Sequence, residues 1–234
     1  MKRILLFSLI LAAAACGGGA QLSLSARAGT TASTQSAAGA TQQALTVNSG
    51  ITVDRLRIVV REVELERASA QPDDTRDAQE FEAGPFVIDL GADALSGTGT
   101  VKAVVSADVP AGTYRELKFK IHKPSSSESA DAGVQAMAAQ NASIVVEGKL
   151  ASGQSYTFTS TVEAEQKFEG SFTVGSGSNL TLNVDPSGWF GTAAAPLDPT
   201  NGSNRSQIEN NIQASFRLFQ DNDHDGHDDS AAHL

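Results

Sequence analysis

Hydrophobic and polar residues alternate with a period of two along most of the chain between residues 50 and 185. In one example, Phe86, Ile88 and Leu90 share one parity, while Val87 and Asp89 occupy the other. Each run has about 6–10 residues and ends at glycine, proline, serine or asparagine, which is typical of short strands that bury one face. Similar runs start at Val101, Leu117, Ile144, Tyr156, Phe168 and Leu180. The pattern predicts an all-β fold, an antiparallel immunoglobulin-like β-sandwich of about 7–8 strands.

The first strand is the longest and extends over residues 51–66. Its apolar parity changes near Asp54 and Arg55 and again near Arg61 and Glu62. A regular strand cannot keep all of these apolar residues on one face, so we expect a bulge or a break at each point. The polar stretches 68–83 and 124–141 predict an exposed loop and an insertion, the second with a helical turn or two at residues 134–140.

The C-terminal part changes from a strand period to a helix period. Ser206 and Glu209 have the spacing of a capping box. A helical face follows, because apolar residues recur at spacings of four, four and three: Ile208, Ile212, Phe216 and Phe219. These spacings predict a short C-terminal helix of roughly 14 residues. A strand over residues 214–219 is the alternative, because Ser215 and Arg217 also alternate with the two phenylalanines.

The N-terminus has the organisation of an export signal. Lys2 and Arg3 precede an uncharged, largely apolar run that is too short to span a bilayer as a stable helix. The run ends in three alanines before Cys16, and this resembles the lipobox of bacterial lipoproteins, although Ala13 stands where leucine is usual. The resemblance implies cleavage before Cys16, lipid on its thiol and, because Gly17 follows, the outer membrane. An ordinary secretory signal is the alternative.

Composition divides the exported chain into three parts. Residues 16–47 contain few large apolar side chains, so we expect the lipidated cysteine to be followed by a flexible tether. Residues 48–220 form the sandwich domain, and 221–234 form a tail rich in aspartate and histidine. The formal charge is −10, and loss of residues 1–15 makes it −12, which argues against nucleic acid and anionic lipid headgroups as partners.

The tail contains the strongest chemical signal of the sequence. Asp221, Asp223 and Asp225 are spaced two apart, Gly226 follows, and Asp229 comes three residues later. Carboxylates at this spacing can surround a hard cation, while the glycine permits the sharp turn. The run resembles the aspartate-rich calcium loops of thrombospondin type 3 repeats. It also matches the start of an EF-hand loop, but Ala232 stands where that loop needs a bidentate glutamate.

We therefore expect a weak Ca²⁺ site with Asp221, Asp223, Asp225 and Asp229 as ligands. A solvated acidic tail that aids solubility is one alternative. A second is a Zn²⁺ or Cu²⁺ site that uses three histidines, His224, His227 and His233.

A turn between two predicted strands carries a second resemblance. Residues 109–114 read Val-Pro-Ala-Gly-Thr-Tyr, and Ile88-Asp89-Leu90 lies in an earlier strand. These runs resemble a corner and a strand of uncharacterised bacterial β-sandwich lipoproteins, over about residues 48–190. The resemblance implies the fold and the location, and that family has no established activity. A related corner occurs in periplasmic copper-associated proteins, but their paired cysteines are missing here.

Trp189 and Phe190 follow the last predicted strand of the sandwich. They predict a plug that closes one end of the core, and a sugar-stacking platform is the alternative. The sequence contains no nucleophile elbow, metalloprotease helix or phosphate loop, so we expect a protein that is not an enzyme. The combined interpretation is a lipid-anchored cell-envelope binding or structural protein, whose partner is an envelope protein or a glycan. Copper or zinc handling and glycan binding are the alternative functions.

Overall fold

The computed structural model describes residues 19–29, 45–47, 49–68, 81–95 and 100–229. These residues form twelve strands: β1 (Gly19–Ala28), β2 (Leu45–Thr46), β3 (Thr52–Arg67), β4 (Phe81–Ala83), β5 (Phe86–Leu90), β6 (Lys102–Pro110), β7 (Gly112–Ile121), β8 (Ile144–Lys149), β9 (Ser155–Ser160), β10 (Ala164–Val174), β11 (Ser178–Val184) and β12 (Phe216–Gln220). They also form three short helices: α1 (Ala92–Leu95), α2 (Ala132–Ala139) and α3 (Arg205–Gln213).

The strands belong to two sheets, which we name by size. The small sheet has the order β12-β11-β1-β6, and the large sheet has the path β10-β7-β3-β8-β9 with β2, β4 and β5 also paired to β3. Apolar residues from both sheets form one core, which confirms the predicted all-β sandwich and its short C-terminal helix. The strands exceed the expected 7–8 because β1, β2, β4 and β12 form in segments that the sequence predicts as tether, loop or helix. Among the described residues, no helix is long and apolar enough to cross a bilayer.

The irregularities that the sequence predicts in β3 are present. The register with β8 shifts between Val53 and Arg55, and the register with β7 shifts between Val60 and Glu62. Each shift restores the alternation, because Val53, Leu56, Ile58, Val60, Val63 and Leu65 are all buried. The predicted helical turns in the insertion correspond to α2. The predicted loop 68–83 extends too far, because its last three residues form β4.

The predicted tether is wrong for residues 19–28, which form β1 in the middle of the small sheet. This strand pairs antiparallel with β6 and parallel with β11, so the sandwich is not wholly antiparallel. Its core face consists mainly of small side chains: Ala20, Leu22, Leu24, Ala26 and Ala28. Backbone pairing on both sides holds the strand in place, although its side chains alone offer little apolar area.

The predicted helix of roughly 14 residues ends earlier than expected. α3 stops at Gln213, and residues 216–220 form β12, which pairs antiparallel with β11. The backbone groups of this segment therefore bond to a sheet edge rather than to a further helical turn, and Phe216 is buried. The predicted capping box is also wrong. The cap residue Asn204 makes no side-chain cap bond, and the Glu209 carboxylate accepts a hydrogen bond from Ser160 Oγ instead.

Two aromatic features close the core. Trp189 and Phe190 are fully buried, which confirms the predicted plug and makes the stacking platform wrong, since neither ring has a face in solvent. The Phe190 ring meets the Tyr156 ring edge-on, with 5.5 Å between their centroids. At the corner between β6 and β7, the buried Tyr114 donates a hydrogen bond from its hydroxyl to the carbonyl oxygen of Pro110, at 2.7 Å.

Candidate metal-binding loop

The outer face of the small sheet carries a set of buried polar side chains. Ser25 and Arg27 of β1 have the parity opposite to the core residues, yet they are only 1% and 6% exposed. On β11, the next strand, three further polar residues are fully buried: Asn179, Thr181 and Asn183. Buried polar groups of this kind require partners. The segment 221–229 provides several of them, because it folds back against this face.

Asp221 is the residue that fixes the start of this loop. Its side chain is fully buried, and its Oδ2 accepts a hydrogen bond from Thr181 Oγ1 at 2.7 Å. Its Oδ1 accepts from the backbone N–H of Gly226 at 3.2 Å, and its carbonyl oxygen accepts from Asn179 Nδ2 at 2.8 Å. The same asparagine accepts a hydrogen bond from Ser25 Oγ at 2.8 Å. A connected set of hydrogen bonds thus links the first predicted ligand to both central strands.

The loop turns sharply so that its aspartates face one point. His224 and Gly226 have φ angles of 60° and 82°, in the left-handed region where glycine is favoured. As a result, Asp221, Asp223 and Asp225 each offer a carboxylate oxygen, and these three oxygens lie within 4.8 Å of one another. The structure therefore brings together three of the four predicted ligands.

The fourth predicted ligand, Asp229, has a different role from the one expected. Its Oδ2 accepts a hydrogen bond from the backbone N–H of Asn222 at 2.6 Å, so it closes the loop. It is not a member of the group of three. Other predicted residues lie outside the described part of the chain: the signal segment 1–15, Cys16, Ala232 and His233.

Hydrogen bonding within the loop keeps one of its carboxyl groups ionised. A hydrogen bond from the backbone N–H of His227 is the largest cause that lowers the pKa of Asp225, so this carboxyl stays ionised. His227 Nδ1 lies 3.1 Å from Asp225 Oδ1, and both side chains are about half exposed. Only aspartates make up the ligand group found among the described residues, which fits the oxygen preference of Ca²⁺ better than the imidazole preference of Zn²⁺ or Cu²⁺.

Arg27, on the outer face of the small sheet, connects this sheet to the loop. Its Nη1 donates to the carbonyl oxygen of Gly226, and its Nε donates to Asn183 Oδ1 at 2.8 Å. Desolvation is the largest influence on its guanidinium and lowers its pKa, whereas the charges of Asp221 and Asp225 act in the opposite direction. The buried cation thus offsets part of the negative charge that the loop concentrates.

Arg27, Asn179 and Thr181 could not be identified from the sequence because they belong to no recognisable motif. A weak signal existed in residues 21–25, where Leu22 and Leu24 alternate with polar residues. The surrounding alanines, glycines and serines masked it, and only the parallel pairing with β11 shows that these side chains lie beneath the loop.

A comparison with protein families matches residues 45–192 to a family model described as a domain of unknown function (DUF4382). Two strands of the small sheet, β1 and β12, and the aspartate loop lie outside the matched segment. The search of curated proteins and the search of solved structures gave no significant match. The match covers more than half of the chain, and the chain therefore belongs to the DUF4382 family.

Proposed function

We propose that this protein is a lipid-anchored binding or structural module of the cell envelope that binds Ca²⁺ through its C-terminal loop. The observation that carries the calcium proposal is the convergence of three carboxylate oxygens within 4.8 Å. One of them belongs to a buried aspartate whose position is fixed by Thr181 and Gly226. A loop whose first ligand is already held in place loses less conformational entropy when it orders around an ion.

The remaining ligands would come from the backbone and from water. In loops of this spacing, the carbonyl oxygen of the seventh residue contributes, and here that residue is His227. Asp229 can act through a water molecule, as the ninth residue of such loops often does. With fewer protein ligands than a complete EF-hand, we expect a Kd of about 10⁻⁴–10⁻³ M, in the range of extracellular calcium modules.

Calorimetry tests the site on a soluble form that begins at Gly17. The test variant replaces both Asp223 and Asp225 by alanine, which removes their ligand oxygens, because these two side chains are exposed and their change leaves the buried Asp221 in place. The matched control replaces two exposed acids elsewhere, Asp108 and Glu169, and removes the same charge. We expect Ca²⁺ heats for the parent and the control but none for the test variant, and weaker binding of Mg²⁺ and Zn²⁺. Equal heats in test and control variants would contradict the proposal.

The anchor is supported by the N-terminal sequence alone. The charged start, the apolar run and Cys16 together indicate lipidation and, with Gly17, the outer membrane. Mass spectrometry of the protein from native membranes should give an N-terminal fragment that begins at Cys16 and carries lipid. A Cys16→Ser variant should leave the membrane fraction. An unmodified thiol in the native protein would overturn the proposed location.

A further inference from the structure

The start of β1 lies very near the proposed lipid anchor in the sequence. Only two residues, both glycine, separate Cys16 from Gly19, where β1 begins. A fully extended chain advances at most about 3.6 Å per residue, so the three steps from Cys16 to Gly19 cover about 11 Å at most. A flexible tether up to residue 47 would instead have a root-mean-square reach of about 30 Å. The position of β1 therefore removes most of the freedom that the sequence predicts for the folded part.

The first residues of β1 are held firmly in the small sheet. Gly19 pairs with Pro110 of β6, and Leu22 pairs with Ser178 of β11. The side chains of Ala20 and Leu22 belong to the core and are each 6% exposed. Pulling this segment away would break backbone hydrogen bonds and expose core residues, so the short link ends on a fixed part of the fold.

The same strand pairings define one end of the sandwich, which we name the attachment end. It consists of the start of β1, the corner 110–113 between β6 and β7, and the turn 175–177 between β10 and β11. The corner reads Pro-Ala-Gly-Thr and the turn reads Gly-Ser-Gly, so both are small and uncharged in a chain whose charge is −10. Ala111 and Ser176 are exposed at their tips. Such turns can approach lipid headgroups without the cost of desolvating an ion.

The hairpin between β8 and β9, residues 150–154, lies at the other end of the large sheet. β3 connects the two ends, because its Arg67 pairs with Tyr114 just after the corner. At its other terminus, Thr52 pairs with Lys149 just before the hairpin. The sixteen residues of β3 correspond to about 50 Å along the strand, at about 3.3 Å per residue.

We propose that the attachment end rests on the lipid headgroups of the membrane and that the β8–β9 hairpin points away from them. The headgroup layer on one side of a bilayer is about 5–8 Å thick, from the difference between the total and the hydrocarbon thickness. A link of about 11 Å that starts from a lipidated cysteine is mostly used in crossing this layer. This inference rests on the proposed lipidation of Cys16 and is independent of calcium binding.

Fluorescence quenching tests this orientation on the full lipidated protein, in phosphatidylcholine vesicles whose headgroups carry a nitroxide quencher. Cys16 is the only cysteine of the chain, and lipid blocks its thiol, so an introduced cysteine is the only site that a thiol-reactive dye can label. The test variant is Ser176→Cys at the attachment end, and the matched control is Ser152→Cys in the β8–β9 hairpin. Both serines are exposed, and each precedes a glycine with positive φ, of 81° and 86° respectively. We expect the dye at position 176 to lose fluorescence and the dye at position 152 to keep it.

A spacer variant tests whether the short link is the cause. About twenty glycine and serine residues inserted before Gly19 add a root-mean-square reach of about 25 Å, so the dye at position 176 should regain its fluorescence while the protein still floats with the vesicles. Equal quenching at the two positions, or quenching at 176 that survives the spacer, would overturn the inference and leave the anchor standing. Labelling of the parent protein by the dye would reveal a free thiol at Cys16, and this would overturn the anchor and the inference together.

Discussion

The hydrogen bond from Thr181 to Asp221 is the most direct test of how the loop is held on the sheet. Thr181→Val removes the hydroxyl but keeps the shape of the side chain. The change takes away the bond of 2.7 Å to Asp221 Oδ2, and it also removes the acceptor for Asn179 Nδ2 at 3.1 Å. Both partners are fully buried, so water cannot readily replace the lost hydroxyl.

The expected cost follows from the charge of the acceptor. A hydrogen bond to a charged group contributes about 1.5–3 kcal/mol, and a buried group left without its partner loses an amount of the same order. We therefore expect Thr181→Val to lower the free energy of unfolding by about 2–3 kcal/mol. For a chain of this size, each kcal/mol corresponds to roughly 2–4 °C in Tm, which gives a decrease of about 4–12 °C.

Thermal and urea unfolding of the soluble form measure this loss, with Thr157→Val as the control. Thr157 is exposed on the edge strand β9, and its replacement should change the free energy of unfolding by less than about 0.5 kcal/mol. If Thr181→Val and Thr157→Val differ by less than that amount, the carboxylate of Asp221 is not buried against the sheet. The reasoning about a pre-positioned ligand would then be refuted.

Two further predictions concern the large sheet. Gly148→Ala should lower the free energy of unfolding by more than about 2 kcal/mol, because a Cβ there would overlap the carbonyl oxygen of Thr52. Gly170→Ala, where a Cβ meets nothing within 4 Å, serves as the control in urea unfolding, and equal losses would contradict the packing argument. A hydrogen bond from Lys120 Nζ, at 2.5 Å, is the largest cause that lowers the pKa of Glu64. The stability that this pair contributes is present above the unfolded pKa of about 4.3 and is lost as pH falls through the lower folded pKa. Between about pH 5 and 2.5, the free energy of unfolding measured with urea should therefore fall by about 1 kcal/mol less for Glu64→Gln than for the parent. Parallel curves for the two proteins would refute this prediction.

Much of the large sheet could be predicted from the sequence because its strands are amphipathic. The two parity changes in β3 are an example, since each one corresponds to a register shift between Val53 and Arg55 or between Val60 and Glu62. Alternation is visible in the sequence whenever one face is buried and the other meets water. The burial of Trp189 was predictable for a related reason, because a large aromatic residue after a strand usually packs into the core.

The small sheet was harder to predict because its central strands are buried on both faces. On the outer face of β1, Ser25 and Arg27 are as inaccessible as the core residues, so the composition of this strand is typical of a linker rather than a strand. β12 has a pattern that fits both a helix and a strand, and pairing with β11 decides between them. Such outcomes depend on which edges are free for pairing, which local periodicity does not encode.

The sequence by itself determined the spacing of Asp221, Asp223 and Asp225, the glycine that lets the loop turn, and the sandwich architecture. Only the tertiary structure decided that Asp221 is buried against Thr181, that Asp229 closes the loop, and that Arg27 lies beneath it. It also decided that β1 begins at Gly19, close to Cys16 in the sequence. The physical reason is that ligand spacing is local and is written in consecutive residues. Burial and charge pairing, in contrast, depend on strands about 40 to 200 residues apart that meet only when the two sheets form.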